Sequence, residues 1–183
     1  MNSIEIIAQI IGIIAMTFNI LSYQGKRQRT VIALQLFGAA LFSVNYLLLG
    51  ATIGGILNIL GTIRAVIFFF KDKFKADRIP WLLAFAASYI LVYILNFTVF
   101  KKEPTVFNLI VEFLPVIGML ALNIGFMLKS SADIRKCGLV GSPAWLIYNI
   151  VAGSWGAIIC EAFTLISIFV GMLRHDKNPI KDK

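Results

Sequence analysis

Two glutamates and one arginine fall well inside long apolar stretches of this chain, away from their ends, and their chemistry has to be explained first: Glu161 in 154–172, Glu112 in 106–128 and Arg64 in 51–70. A charge at the centre of a bilayer costs about 2.5–3.5 kcal/mol on insertion scales, so each calls for a partner or a water-lined cavity. A carboxyl in such a place can hold a cation or carry a coupling proton. Glu161 follows Trp145 by sixteen residues across a tight turn at Gly153, and Asn58 follows Phe42 by the same sixteen across a turn at Gly50. Aromatic faces suit sugar rings or organic cations, and an Asn opposite a carboxylate can hydrogen-bond hydroxyls or an amine.

Helical spacing adds neighbours to this set. Gly38, Phe42 and Asn45 stand at i, i+4 and i+7, and Gly141, Trp145 and Tyr148 share a face in the same way. The two glycines make room one turn below the aromatic pair. The candidate substrate site is therefore Asn58, Glu161, Phe42, Trp145, Gly38, Gly141, Asn45 and Tyr148. Glu161, Glu112 and Arg64 are the candidates for proton transfer or ion pairing. Each has a plainer reading: small residues let helices pack closely, Asn45 can anchor at an interface, and Arg64 can snorkel or tie one helix to another.

The elements that must position these residues are membrane helices. The 183 residues are 59% hydrophobic and 14% charged, with a mean hydropathy of +0.86, too apolar to cover a soluble core. Seven segments are long enough to span: 4–23, 30–49, 51–70, 81–100, 106–128, 137–153 and 154–172. Continuous apolar runs predict helices, since barrel strands alternate in polarity. The N-terminus has no basic region ahead of its first apolar run, so the first span is expected to be retained.

The net charge of +8 is a topology signal and not a nucleic-acid footprint. Of the 17 Lys and Arg residues, fourteen fall in alternate loops: Lys26, Arg27, Arg29, Lys71, Lys73, Lys75, Arg78, Lys129, Arg135, Lys136, Arg174, Lys177, Lys181 and Lys183. Only Lys101 and Lys102 fall on the other side, which predicts N-out and C-in. Cys137 and Cys160 fall at different depths and are expected to be free thiols. No His/Cys cluster has metal spacing, and His175 sits in the basic tail, so neither metal nor cofactor is expected.

An offset of 103 residues aligns Leu36 with Leu139, Gly38 with Gly141, Phe42 with Trp145, Gly50 with Gly153, Ile56 with Ile159 and Ile63 with Ile166, and pairs Asn58 with Glu161. Upstream the register drifts, with Asn19 facing Asn123 at 104. The pattern predicts an all-α integral membrane protein in a 3+1+3 parallel repeat: a three-helix bundle in 1–78, a linker helix in 79–103 and a second bundle in 104–183. Parallel repeats place a pseudo-twofold axis along the membrane normal, with a site lined by both halves.

This plan resembles the SWEET and PQ-loop (MtN3-like) superfamily, and within it the YgjV-type bacterial inner-membrane proteins. Trp145-Leu146-Ile147-Tyr148 matches the aromatic pattern of SWEET second helices, Phe42 and Asn45 occupy those positions in the first half, and Asn58 matches the sugar-contacting Asn. Glu161 departs from it. Pro115 and Pro143 match the SWEET hinge prolines in the second half only.

The resemblance implies an inner-membrane small-solute transporter, sugar-like or small polar or cationic, that works by alternating access. The other reading is a non-transporting sensor or accessory subunit whose polar core only ties helices together. An enzyme is not expected, since two carboxylates stand without a His, a metal cluster or a nucleophile with an adjacent base. The partners expected are the lipid bilayer and an unidentified small-molecule solute, with no nucleic acid; monomer and homo-oligomer stay equally open.

Overall fold

The computed structural model describes residues 3–49, 52–151 and 155–176. The turns at Gly50 and Gly153, Ser154, and the tail lysines Lys177, Lys181 and Lys183 lie outside the described residues. Eight helices follow one another: α1 (Ser3–Ser22), α2 (Gln28–Leu48), α3 (Thr52–Phe69), α4 (Lys71–Phe74), α5 (Ile79–Thr98), α6 (Val106–Met127), α7 (Ser131–Val151) and α8 (Trp155–His175). No strand occurs among them.

Local chemistry explains most of the boundaries. Pro80 occupies the first turn of α5, where a missing N–H costs nothing. The Thr105 side chain accepts from the Asn108 backbone N–H at 3.2 Å and caps α6. Lys75, at φ 51°, closes the single turn of α4 in a left-handed conformation.

One boundary differs from expectation. The helix expected to begin at 137 begins at Ser131, because the Ser130 hydroxyl accepts from the Asp133 N–H at 3.2 Å and donates to the Asp133 carboxylate at 2.7 Å. That cap draws Asp133, Arg135 and Lys136 into α7. Their charges help explain why α7 does not join the five helices that are long and apolar enough to cross a membrane: α1, α2, α5, α6 and Ala157–His175 of α8.

The surface also points to lipid. In α1 only Ala8, Ala15 and Ser22 are buried, a single stripe of small residues at i, i+7 and i+14. Ile4, Ile6, Ile7, Ile10, Ile13, Ile14 and Leu21 all stand exposed around it. In water such a surface would drive association; in a bilayer it is the solvated face.

Within the bundle α2 packs between α1 and α3, and α7 between α6 and α8. Helix α5 lies against α3 and α6. Contacts of α1 with α8, α3 with α6 and α2 with α7 join the two groups.

The ends that carry the basic loops are tied together. The Gln28 amide donates to the carbonyls of Gly125, Phe126 and Leu128 at the end of α6, and accepts from Lys71 at 2.8 Å. Reciprocally, Ser131 donates to the Lys26 carbonyl at 2.8 Å, just past the end of α1. Arg135 donates to the Tyr23 and Gly25 carbonyls at 3.0 Å each. Carbonyls at and just past a helix end have no donor within that helix, and those named here are met by the helix start that faces them.

Candidate functional site

Helices α1, α2, α3, α6, α7 and α8 enclose a cavity of about 100 Å³. A water needs roughly 10–15 Å³ of such space, so several waters or one small solute fit. Helix α2 contributes Gln35, Ala39, Phe42 and Tyr46, and α7 contributes Gly138, Ser142, Trp145 and Asn149 together with Gly141. The first four of each set step by +4, +3 and +4, which keeps them on one helix face. Asn58, Gly61 and Arg64 come from α3, Ala157, Cys160 and Glu161 from α8, Asn19 from α1 and Tyr23 from the turn after it, and Met119 and Leu122 from α6.

Glu161 is partly exposed, and it shares the lining of this space with Ser142 of α7. Asn58 donates from Nδ2 to the Gly54 carbonyl at 2.9 Å within α3, which leaves its side-chain oxygen and second N–H without a bond among the described residues. The Trp145 ring is held from behind by Tyr148, edge-on at 5.9 Å between centroids, and rests on Gly118 of α6. The Phe42 ring lies tilted by 30° against that of Tyr46, with 6.0 Å between centroids.

Arg64 is 4% exposed. Its Nη1 donates to the Met119 carbonyl at 3.0 Å and the Tyr89 hydroxyl at 3.3 Å, and the guanidinium carbon stands 4.9 Å from the centre of the Phe126 ring. Nε is buried without a partner among the described residues. Nη2 lies 4.0 Å from where a Cβ on Gly61 would stand, against the cavity wall.

The remaining candidate residues lie elsewhere. Gly38 faces α1, where a Cβ would meet the Ala15 carbonyl at 3.3 Å; Gly141 makes the matching approach to Gly118 at 3.4 Å, yet also reaches the cavity. Asn45 is buried against α1 and donates to the Ala8 carbonyl at 2.7 Å. The i, i+4, i+7 face of α2 is wide enough to serve two neighbours, and Phe42 alone of that triplet lines the cavity.

Glu112 stands apart from the cavity. It accepts from Asn96 of α5 at 3.0 Å and pairs with Lys102 at 3.0 Å, so its charge is answered locally. Pro115 and Pro143 sit inside unbroken α6 and α7, Pro115 buried and Pro143 partly exposed, each leaving one carbonyl a turn earlier without its helical donor. Both cysteines are free, Cys160 in the cavity wall and Cys137 packed against Gly125. Among the described residues no group of three His, Cys, Asp or Glu could hold a metal ion.

The sequence matches the family model of a bacterial inner membrane protein, Imp-YgjV, over residues 6–179, nearly the whole chain. This chain belongs to the YgjV family. The YgjV assignment and the apolar helices together make it a multi-pass protein of the bacterial inner membrane. Comparison with curated proteins and with solved structures gave no match.

Six polar residues of this YgjV cavity are outside the set the sequence singled out: Asn19, Tyr23, Gln35, Tyr46, Ser142 and Asn149. The signal was present in α7, where Ser142, Trp145 and Asn149 follow at i, i+3 and i+7. In α2 the intervening Gly38 and Asn45 belong to another interface and hid the equivalent face.

Proposed function

We propose that this YgjV-family protein is a small-solute transporter that works by alternating access between two three-helix bundles, α1–α3 and α6–α8, joined through α5. In this reading seven helices span the membrane, α7 among them, with the N-terminus outside and the basic loops inside. The observation that carries the proposal is the composition of the cavity wall. Gln35, Ala39, Phe42 and Tyr46 lie 103 residues before Gly138, Ser142, Trp145 and Asn149, and Asn58 bears the same relation to Glu161. A site assembled from equivalent positions is what a parallel repeat produces on its axis.

The packing supports the same symmetry. Exchanging α1 with α6, α2 with α7 and α3 with α8 turns the α1–α8 contact into the α3–α6 contact and maps α2–α7 onto itself. Crossing hydrogen bonds obey it too: Arg64 of α3 donates to Met119 of α6, and Ser167 of α8 donates to Ile20 of α1 at 2.6 Å. The bonds between the bundles gather toward the basic ends, consistent with a state closed to the inside. Kinship with the SWEET and PQ-loop superfamily fits this plan, and so does the division at 1–78, 79–103 and 104–183.

Phe42, Trp145, Asn58 and Glu161 would contact solute, with Gly141 providing space and Pro115 and Pro143 yielding as the second bundle rocks. The second reading, a sensor or accessory subunit, draws on Arg64 and Glu112, whose bonds tie helices together. Uptake by purified protein in liposomes separates the two: flux above empty liposomes for at least one of a set of sugars, amines and amino acids is expected, and binding without flux would favour the sensor. Glu161→Gln should change affinity or its pH dependence; no change in either would remove Glu161 from the site.

A further inference from the structure

The cavity wall carries one acidic and one basic side chain, Glu161 and Arg64, and among the described residues neither is in an ion pair. Among the described residues the ion pairs are Arg29–Asp72, Lys102–Glu112 and Arg135–Asp176. Glu161 shares the cavity wall with Ser142 and pairs with no cation among the described residues. Arg64 has carbonyl, phenol and aromatic neighbours and no carboxylate, and its Nε is buried without a partner. A guanidinium sealed at 4% exposure beside a cavity, with donor capacity to spare, is a costly arrangement unless an anion visits it.

We infer that the site takes a small zwitterion, its carboxylate held by Arg64 and its ammonium by Glu161. The inference rests on the transport reading and narrows it to one solute class. A sugar would answer neither charge. A simple amine would answer Glu161 and leave Arg64 as it was. A zwitterion answers both at once, and a guanidinium fork is shaped for a carboxylate. Its net charge is zero, so crossing does no work against the membrane potential. The cavity of about 100 Å³ favours a solute of few heavy atoms, and the faces of Trp145 and Phe42 can add a cation–π contact to the ammonium.

The test uses the full chain, purified and reconstituted in lipid, with binding followed by calorimetry. Glycine, serine, β-alanine and γ-aminobutyrate sample four small zwitterions and three charge spacings. For any that binds, its methyl ester lacks the carboxylate charge and its N-acetyl form lacks the ammonium. At least one zwitterion should bind, and each blocked form should bind at least tenfold more weakly. Arg64→Gln should erase the preference over the ester while keeping that over the N-acetyl form, and Glu161→Gln should do the reverse.

Should either variant fail to fold, the comparison of blocked and free forms on the unaltered chain still decides. Esters and N-acetyl forms binding as tightly as their parents would overturn the inference. So would a sugar or simple amine that binds and crosses liposomes while all four zwitterions fail, an outcome that leaves the transport reading standing. Absence of binding and flux for every solute would remove both.

Discussion

Replacing Arg135 by Ala should destabilise the protein more than any other single truncation at the basic end. The side chain is wholly buried, and its guanidinium makes five hydrogen bonds: two to Asp176, one to Ser131 at 3.1 Å and one each to the Tyr23 and Gly25 carbonyls. Truncation leaves the Asp176 carboxylate, whose Oδ2 already lacks a partner, without its cation, and leaves two carbonyls at the end of α1 without donors. Removing one member of a buried, hydrogen-bonded ion pair costs about 3–5 kcal/mol. At roughly 2–4 °C per kcal/mol for a chain of this size, the expected fall in Tm is roughly 6–20 °C. Asp176→Asn should cost less, about 1–2 kcal/mol, because the amide oxygen still accepts and the partly exposed Asp176 gains less from its charge. Thermal unfolding in detergent, followed by size-exclusion chromatography of the heated samples, measures both. An Arg135→Ala protein that melts within about 2 °C of wild type would refute the reasoning that these buried bonds hold the basic end together.

Three further outcomes separate the cavity from the scaffold. A Cβ at Gly61 meets nothing nearer than Met119 at 3.5 Å, so Gly61→Ala should fold with stability equal to or up to ~1 kcal/mol above wild type, yet narrow the cavity beside Arg64 and reduce uptake several-fold; unchanged uptake in liposomes would count against the cavity as the solute path. At Gly118 a Cβ would stand 2.6 Å from the Trp145 ring, so Gly118→Ala should cost about 1–3 kcal/mol and shift the Trp145 fluorescence as the ring is displaced. Glu112→Gln should leave uptake unchanged and cost less than about 1 kcal/mol, since Asn96 can still bond the side chain and Lys102 is half exposed; uptake assays that lose activity here would bring Glu112 back into the mechanism.

The helical architecture was legible because lipid imposes long apolar runs, and five helices are long and apolar enough to cross a membrane. Phe42, Trp145, Asn58 and Glu161 could be grouped from spacing alone, and all four line one cavity. Arg135 could not be read. In sequence it is one of a cluster of loop cations, and only the Ser130 cap, which starts α7 early, carries it into a buried position. Gly38 and Asn45 were legible as one helix face but not as two interfaces, since the direction in which a partner helix lies is a tertiary fact. Arg64 and Glu112 were both visible as embedded charges. That Glu112 of α6 pairs with Lys102 of the loop before it, while Arg64 meets carbonyl, phenol and ring, is set by tertiary packing that the apolar pattern does not encode.

The crossed caps at the basic end bear on how such a chain is made. The carbonyl of Lys26 waits for Ser131, 105 residues further along, and Gln28 waits 100 residues for that of Leu128. A ribosome delivering the chain from its N-terminus releases α1 to α3 with helix ends still hydrated. The first half is thus inserted as an open fitting and becomes a closed one only when α6 and α7 arrive. Produced as two separate polypeptides, 1–78 and the remainder should find each other in one membrane, each being the other's missing cap.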